Sequence, residues 1–403
     1  MKILQLSNKV PLPPRDGGSI ASIRLSQGFV QLGHSLTILA MNTKKHFVAR
    51  DFCTALAQKL SIDMIAVPVP ATISPINAIF NLLFSRQAYT AQRFKSTKYD
   101  EELKCLLRKQ EFDFIIIENL YPMLYLKTIR RYSSAKVIMR AHNIEHEIWR
   151  RTAKQANGIK QLYLNILANR IEIFEKHYIN QYDFLSAITK RDETVLIGMG
   201  NLKPAMALPT GVDIDDQLPE LIIPDVFSVA HLGALDWAPN QEGIIWFLTE
   251  VWPIVRDQHP DAEFHLAGRN APNWFQKKID ISGVYYHGEV DSAEHFIQRF
   301  PIHVVPLWSG SGMRIKIIEA MTQGRVIVTT PIGIEGIEAI NDKDVAICNT
   351  KESFASALIE LEANPQGMKE MSQNAYTFVK EHYDNKKLLG DFISFLNDNA
   401  NSI

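Results

Sequence analysis

Twelve short apolar runs punctuate the chain, and between them lie stretches with helical periodicity. In the first half the runs are KILQLS (2–7), LTILA (36–40), IDMIAV (62–67), DFIIIE (113–118), KVIMRA (136–141) and FLSAI (184–188). The same grammar restarts at FSVAHLGAL (227–235). It continues through EFHLAG (263–268), GVYYHG (283–288), IHVVPL (302–307), RVIVTT (325–330) and DVAIC (344–348). Short, nearly continuous apolar runs suit strands buried on both faces, whereas a half-wet antiparallel strand alternates. Strand and helix in alternation predict a parallel sheet with helices on both sides. Because the rhythm occurs twice, the expected fold class is α/β, with two Rossmann-like domains facing a cleft. A chain of 403 residues is also too long for one ordinary core.

Pro, Gly and acidic residues cluster at PTGVDIDDQLPELIIPD, which marks a connection. The expected division is an N-terminal domain over 1–208, a linker over 209–225 and a C-terminal domain over 226–381. The last helix, within 382–403, is a candidate for return to the first domain. Charge follows the same division: residues 1–200 carry a net +12 and residues 201–403 a net −13. Such a basic half fits either an anionic membrane face or complementarity between domains. Nothing in it resembles a base-reading module, so nucleic acid is not an expected partner. Cys53, Cys105 and Cys348 have neither disulfide nor metal spacing, which suits a reducing cytoplasm. The opening MKILQLSNKV runs at once into prolines and charge, unlike a signal peptide. No stretch approaches the roughly 20 apolar residues of a membrane span. A cytoplasmic location, peripheral at the inner membrane face, is therefore expected.

Glycine turns at strand ends carry the chemistry. PPRDGGS follows the first strand, where Gly17 and Gly18 leave backbone and a helix N-terminus open to an anion. It lacks GxGxxG, which disfavours a dinucleotide enzyme. The more specific stretch is PLWSGSGMRIKIIEAM (306–321). Gly310, Ser311, Gly312 and Met313 lie at the carboxyl end of a buried strand, the edge where open α/β sheets bind ligands. Arg314 and Lys316 can neutralise a phosphate with help from the helix dipole, and Glu319 can accept two ribose hydroxyls. A plainer reading is an amphipathic helix with Ile315, Ile318 and Met321 in the core. A second glycine turn, TTPIGIEG, follows the next strand and makes that plainer reading less comfortable. His142, directly after KVIMRA, projects at a carboxyl edge, where a near-neutral imidazole can orient a substrate hydroxyl. His142 and His146 do not form an HExxH pair, and no metal is expected. Between Ala71 and Lys109, Ile79, Phe80, Leu82, Leu83 and Phe84 sit beside Arg86, Arg93, Lys95 and Lys98. Such a segment suits either a core helix or an interfacial membrane contact.

Taken together, PPRDGGS, QLGHSLTILA, DFIIIE, RAHNIEHEIWRR, LPTGVD, LGALDWAPNQEGIIWF, HLAGRN, HGEV and GSGMRIKIIEAMTQGRVIVTTPIGIEGI resemble the GT-B glycosyltransferases. Within these, the resemblance is to the GT4-like, group 1 enzymes that use nucleotide sugars. It implies a retaining, metal-independent hexosyltransferase-type enzyme acting in cell-surface glycan synthesis. The donor is a nucleoside-diphosphate sugar, bound as substrate with no cofactor, and the acceptor a saccharide or a lipid-linked one. The resemblance places His142 on the transferred sugar, Gly17 and Gly18 near the donor pyrophosphate or the acceptor, and Arg269 near the nucleotide. Gly233 belongs to the donor site, Gly310 to Arg314 cradle phosphate and sugar, and Glu319 takes the ribose. Two departures stand out: Ser311 replaces a family glutamate eight positions before Glu319, and ALDWAPNQ lacks the family's Arg–Lys pair. Arg314, Lys316 or Arg269 would then supply the missing charge. Two other readings stand beside this one, a nucleotide-sugar epimerase on the same fold and a catalytically retired binding scaffold.

Overall fold

A computed structural model describes residues 1–400 apart from Arg15, Arg86, Asp216 and Ser311. It has two compact units, Met1–Gly211 together with the segment from Asn385 onward, and Val212–Asp384.

In the first unit the described strands are β1 (Lys2–Ser7), β2 (Ser35–Asn42), β3 (Asp63–Pro68), β4 (Phe114–Glu118), β5 (Lys136–Ala141), β6 (Phe184–Ala187) and β7 (Ala205–Ala207). They form one parallel sheet in the order β3-β2-β1-β4-β5-β6-β7, with Ile3 opposite Leu36 on one side and Phe114 on the other. Successive residues of a strand point to opposite faces. Accordingly Leu4, Ile115 and Ile117 enter one apolar core, while Ile3, Phe114 and Ile116 enter another on the far face. The order reverses between β1 and β4, which opens a crevice at their carboxyl ends.

The second core is completed from far along the chain. Leu389, Phe392 and Leu396 of the Asn385–Ala400 helix are buried in it, against the Gly17–Gln31 helix. The approach is so close that a methyl group on Gly28 would lie 1.9 Å from Leu389 Cδ1.

The second unit repeats the plan with β8 (Ser228–Leu232), β9 (Glu263–Ala267), β10 (Val284–Tyr286), β11 (Ile302–Val305), β12 (Val326–Thr329) and β13 (Ala346–Ile347). Its parallel order is β10-β9-β8-β11-β12-β13, with the reversal between β8 and β11. Val229, Phe264 and Val304 pack on one face, and Val305 and Ile327 on the other.

Two features depart from the sequence reading. β7, Ala205–Ala207, is only three residues long, and the sequence reading did not single it out. The helical stretch expected over 241–257 is interrupted by a π turn at Phe247–Val251, followed by Trp252–Gln258. Trp252 N donates to Phe247 O across that turn, and Pro253, which has no N–H to donate, sits in the first turn of the helix that follows. Among the described residues no helix is long and apolar enough to cross a membrane.

Candidate functional site

In the first unit three chain segments meet at the switch point. His142 follows β5 directly, and Glu118 ends the neighbouring β4. The His142 Nε2 bonds Glu118 Oε2, and both side chains are buried. An ionised carboxylate only accepts, so Nε2 carries the proton that faces Glu118, and Nδ1 is the ring nitrogen turned toward the glycine loop. Glu118 is itself fixed: Gln5 Nε2 donates to its Oε1 at 3.2 Å, and buried Arg140 lies 3.7 Å from the same oxygen. On the far side Ser26 donates to Gln5 Oε1 at 2.7 Å. The glycine loop closes over this group, and a methyl on Gly18 would stand 3.5 Å from His142 Nδ1. Gly17 is exposed as the first residue of its helix, which Asp16 caps by accepting from Ser19 N at 2.9 Å. Burial opposes ionisation of Asp16, but Lys9 at 2.5 Å and Ser19 outweigh it and hold the carboxyl below its ordinary range.

Of these residues, His142, Gly18, Asp16 and Lys9 line a cavity of about 360 Å³ that also receives Lys45, His46, Arg93, Tyr121 and Glu145. Glu145 opens the helix Glu145–Lys154, and burial pushes its carboxyl up to about 7. The Tyr121 hydroxyl, donating at 2.8 Å, only partly opposes this. Glu175 accepts from Glu145 N at 2.9 Å and meets His146 Nδ1 at 2.5 Å. His142 and His146 are thus held by different carboxylates. Among the described residues no group of three or more His, Cys, Asp or Glu is placed to hold a metal ion. The fold keeps the Glu145 proton between the ordinary 4.5 and about 7, where the unfolded chain releases it. Its contribution to stability is therefore present below that window and lost as pH rises through about 7. Glu145→Gln keeps an acceptor for Tyr121 and should raise Tm by ~3 °C more at pH 8 than at pH 5. Thermal melts of both proteins at the two pH values check this.

In the second unit the candidate donor residues converge at the carboxyl ends of β8 and β11. Gly233 follows β8, and a methyl there would meet Asn240 Nδ2 at 2.8 Å and Lys316 Nζ at 3.0 Å. Lys316, on the helix Ile315–Thr322, donates to Asn240 Oδ1 at 3.0 Å. It also lies 3.2 Å from His231 Nε2. His231 donates through Nδ1 to Val304 O at 2.8 Å, so its Nε2 is an acceptor. Burial, then the neighbouring Lys316, holds the His231 pKa far below its usual value. Burial, with Arg314 adding to it, pulls Lys316 down to about 7. An ammonium that gives up its proton near neutrality thus sits beside the end of β8, where the chain's own ALDWAPNQ supplies no cation.

The loop from β11 reaches the helix through Gly310 at φ +109° and Gly312 at φ +83°, conformations that favour glycine. A methyl on Gly310 would also stand 2.9 Å from Arg314 Nη2 and 3.1 Å from the Trp237 ring. Buried Arg314 occupies the N-cap position, donates to Gly312 O and lies 5.5 Å from the Trp237 ring centroid. Met313 packs at the edge of the adjoining core. Glu319 comes one turn after Lys316 and is partly buried. Arg269 is anchored by its carbonyl, which accepts from Leu235 N at 2.9 Å. Ser311 lies outside the described residues. Sequence reasoning missed Glu118, His231 and Asn240. For Glu118 a signal existed, since the apolar DFIIIE ends in a carboxylate at a strand's carboxyl edge.

Two parallel α/β units, each with its residues gathered at a switch point, form the GT-B fold of glycosyltransferases. The computed structure is similar to HepE of Anabaena, solved with UDP and glucose, with TM-score 0.68, 12% identity and coverage of 98% and 99% of the two chains. It is also similar to sucrose-phosphate synthase of Thermosynechococcus elongatus, with TM-score 0.71, 15% identity and full coverage of both. Residues 227–364, which lie within the second unit, match the family described as Glycosyl transferases group 1. Over 96% of this chain and 97% of the other, the sequence is 25% identical to an uncharacterised 44.6 kDa protein in the cps region of Klebsiella pneumoniae.

Proposed function

We propose that the chain is a retaining glycosyltransferase of the GT4-like kind. It moves a hexose from a nucleoside-diphosphate sugar to an acceptor hydroxyl in cell-surface glycan synthesis. The observation that carries this is Lys316, whose ammonium stands beside Gly233 at the switch point of a domain matching group 1 glycosyltransferases. The departing diphosphate spreads negative charge over its oxygens, and Lys316, Arg314 and the N-terminus of Ile315–Thr322 are donors fixed before the reaction. Charge stabilisation from these groups makes the transfer metal-independent. Glu319 takes the ribose hydroxyls, and Nδ1 of His142 meets a hydroxyl of the transferred sugar. The acceptor is a saccharide, free or carried on a lipid. The full-length likeness to a protein of a cps region supports a role in capsule or other surface polysaccharide.

A panel of UDP, GDP, ADP and CMP tests the donor site by thermal shift. One nucleotide, at about 100 times its Kd, stabilises the folded state by about 2.7 kcal/mol and raises Tm by several degrees. The shift disappears in Glu319→Ala. Absence of a shift with all four would overturn the donor reading.

A further inference from the structure

The helix Pro75–Phe84 turns its apolar face outward. Ile76, Ile79, Phe80, Leu83 and Phe84 are all exposed, by 57% to 78%, and its Asn81 is buried instead. This is an inverted amphipathic helix by the standards of a water-facing surface, where five large apolar side chains are not left together without a use. Its placement is fixed by Arg170, which donates to Asn81 O at 3.1 Å and to Leu82 O at 2.9 Å. Arg170 belongs to the helix Gly158–Tyr178, whose Ile159, Leu162 and Ile173 are exposed as well. At 100° per residue these three fall within about 60° of one another, on one stripe adjoining Arg170.

Cations lie beside this face, since Arg93 and Lys95 line the same groove as Phe80 and Phe84. From Met64 to Tyr99 the chain has four Arg or Lys and neither Asp nor Glu. We infer that this helix and the adjoining stripe form a face that docks on an anionic lipid bilayer. The helix lies in the interface, with its apolar side among the acyl chains and Arg93, Lys95 and Lys98 at the headgroups. A second copy of the chain is the poorer occupant, because a two-fold contact would set the same cations against each other. Charge therefore selects the partner. The groove under the helix shares Ala71 and Arg93 with the cavity that holds His142. A docked bilayer thus adjoins the mouth of that cavity, where a lipid-borne hydroxyl can enter.

Flotation of the full chain with vesicles tests the docking and needs no turnover, so it fails or succeeds apart from the glycosyltransferase reading. Vesicles of phosphatidylcholine alone are compared with vesicles containing about a third phosphatidylglycerol, at about 0.1 M and about 0.5 M salt. The expected result is at least about tenfold more protein on the anionic vesicles, lost at high salt and lost in Phe80→Ser/Phe84→Ser. Both side chains are already in solvent, so the variant should melt as the parent does. Ile76→Ser/Leu83→Ser provides the same comparison independently. Equal binding to both vesicles, or undiminished flotation of both folded variants, would overturn the inference. So would sedimentation as a dimer that the serine variants abolish without any effect on vesicle binding.

Discussion

His142→Ala lowers kcat by about 100-fold, the scale of a positioned proton acceptor, while leaving the donor's thermal shift intact. The reason is spatial. The imidazole belongs to the first unit, whereas Gly233, Lys316 and Glu319 belong to the second, so nucleotide binding and hydroxyl orientation are separable. Glu118→Gln sharpens the test. An amide beside Nε2 can donate to it, which moves the ring proton to Nδ1 and presents a donor where an acceptor is needed. Activity should fall in this variant too, although its imidazole is still present. The variant also costs about 3 kcal/mol of stability, because buried Arg140 loses its countercharge. Steady-state kinetics of both variants, measured well below their melting temperatures, decide the matter. Unchanged kcat in His142→Ala would remove the imidazole from the reaction.

Lys316→Met should cost a comparable factor, on the order of 100-fold in kcat/KM, by removing a preorganised donor from the leaving diphosphate. Its pH signature is more specific. The folded protein releases the Lys316 proton near 7, while the unfolded chain keeps it to 10.5. Between those values the unfolded state binds more protons, so Lys316 makes the ligand-free protein more stable as pH rises and less stable as it falls through about 7. Melts of Lys316→Met lose that slope. Nucleotide binding runs the other way, since a diphosphate selects the charged ammonium. Its affinity should drop by up to about tenfold per pH unit above pH 7. Calorimetry of nucleotide binding at pH 7 and pH 9, in wild type and variant, distinguishes Lys316 from any other titrating group. An identical pH slope in the two proteins would exclude it.

The runs that announce β1, β4 and β5 were legible because strands buried on both faces have little freedom of composition. The glycines were legible for a related reason, since Gly310 and Gly312 take up positive φ between a strand and a helix. Partners were not. Glu118 meets His142 only because β4 and β5 pair in parallel with carboxyl ends aligned, a fact of topology across 24 residues. Lys316 meets His231 and Asn240 across 85 and 76 residues, through the adjacency of β8 and β11. A periodic helix face placed Ile315, Ile318 and Met321 in the core, as found, but could not say that Lys316 would be drawn onto Asn240 and His231. The outward-facing apolar helix was ambiguous for the opposite reason: composition alone does not tell a core helix from one that meets a lipid surface.

The Asn385–Ala400 helix, seated against Gly28, gives the molecule an order of assembly. During synthesis every residue of the second unit, Val212–Asp384, is added before Leu389, Phe392 and Leu396, which complete a core of the first unit. The part of the chain made first is therefore the part completed last. Until residues 385–400 arrive, the Gly17–Gln31 helix, which carries the loop over His142, has one flank uncovered. The first unit's site thus takes its final form only after the whole of the second unit's chain has been made.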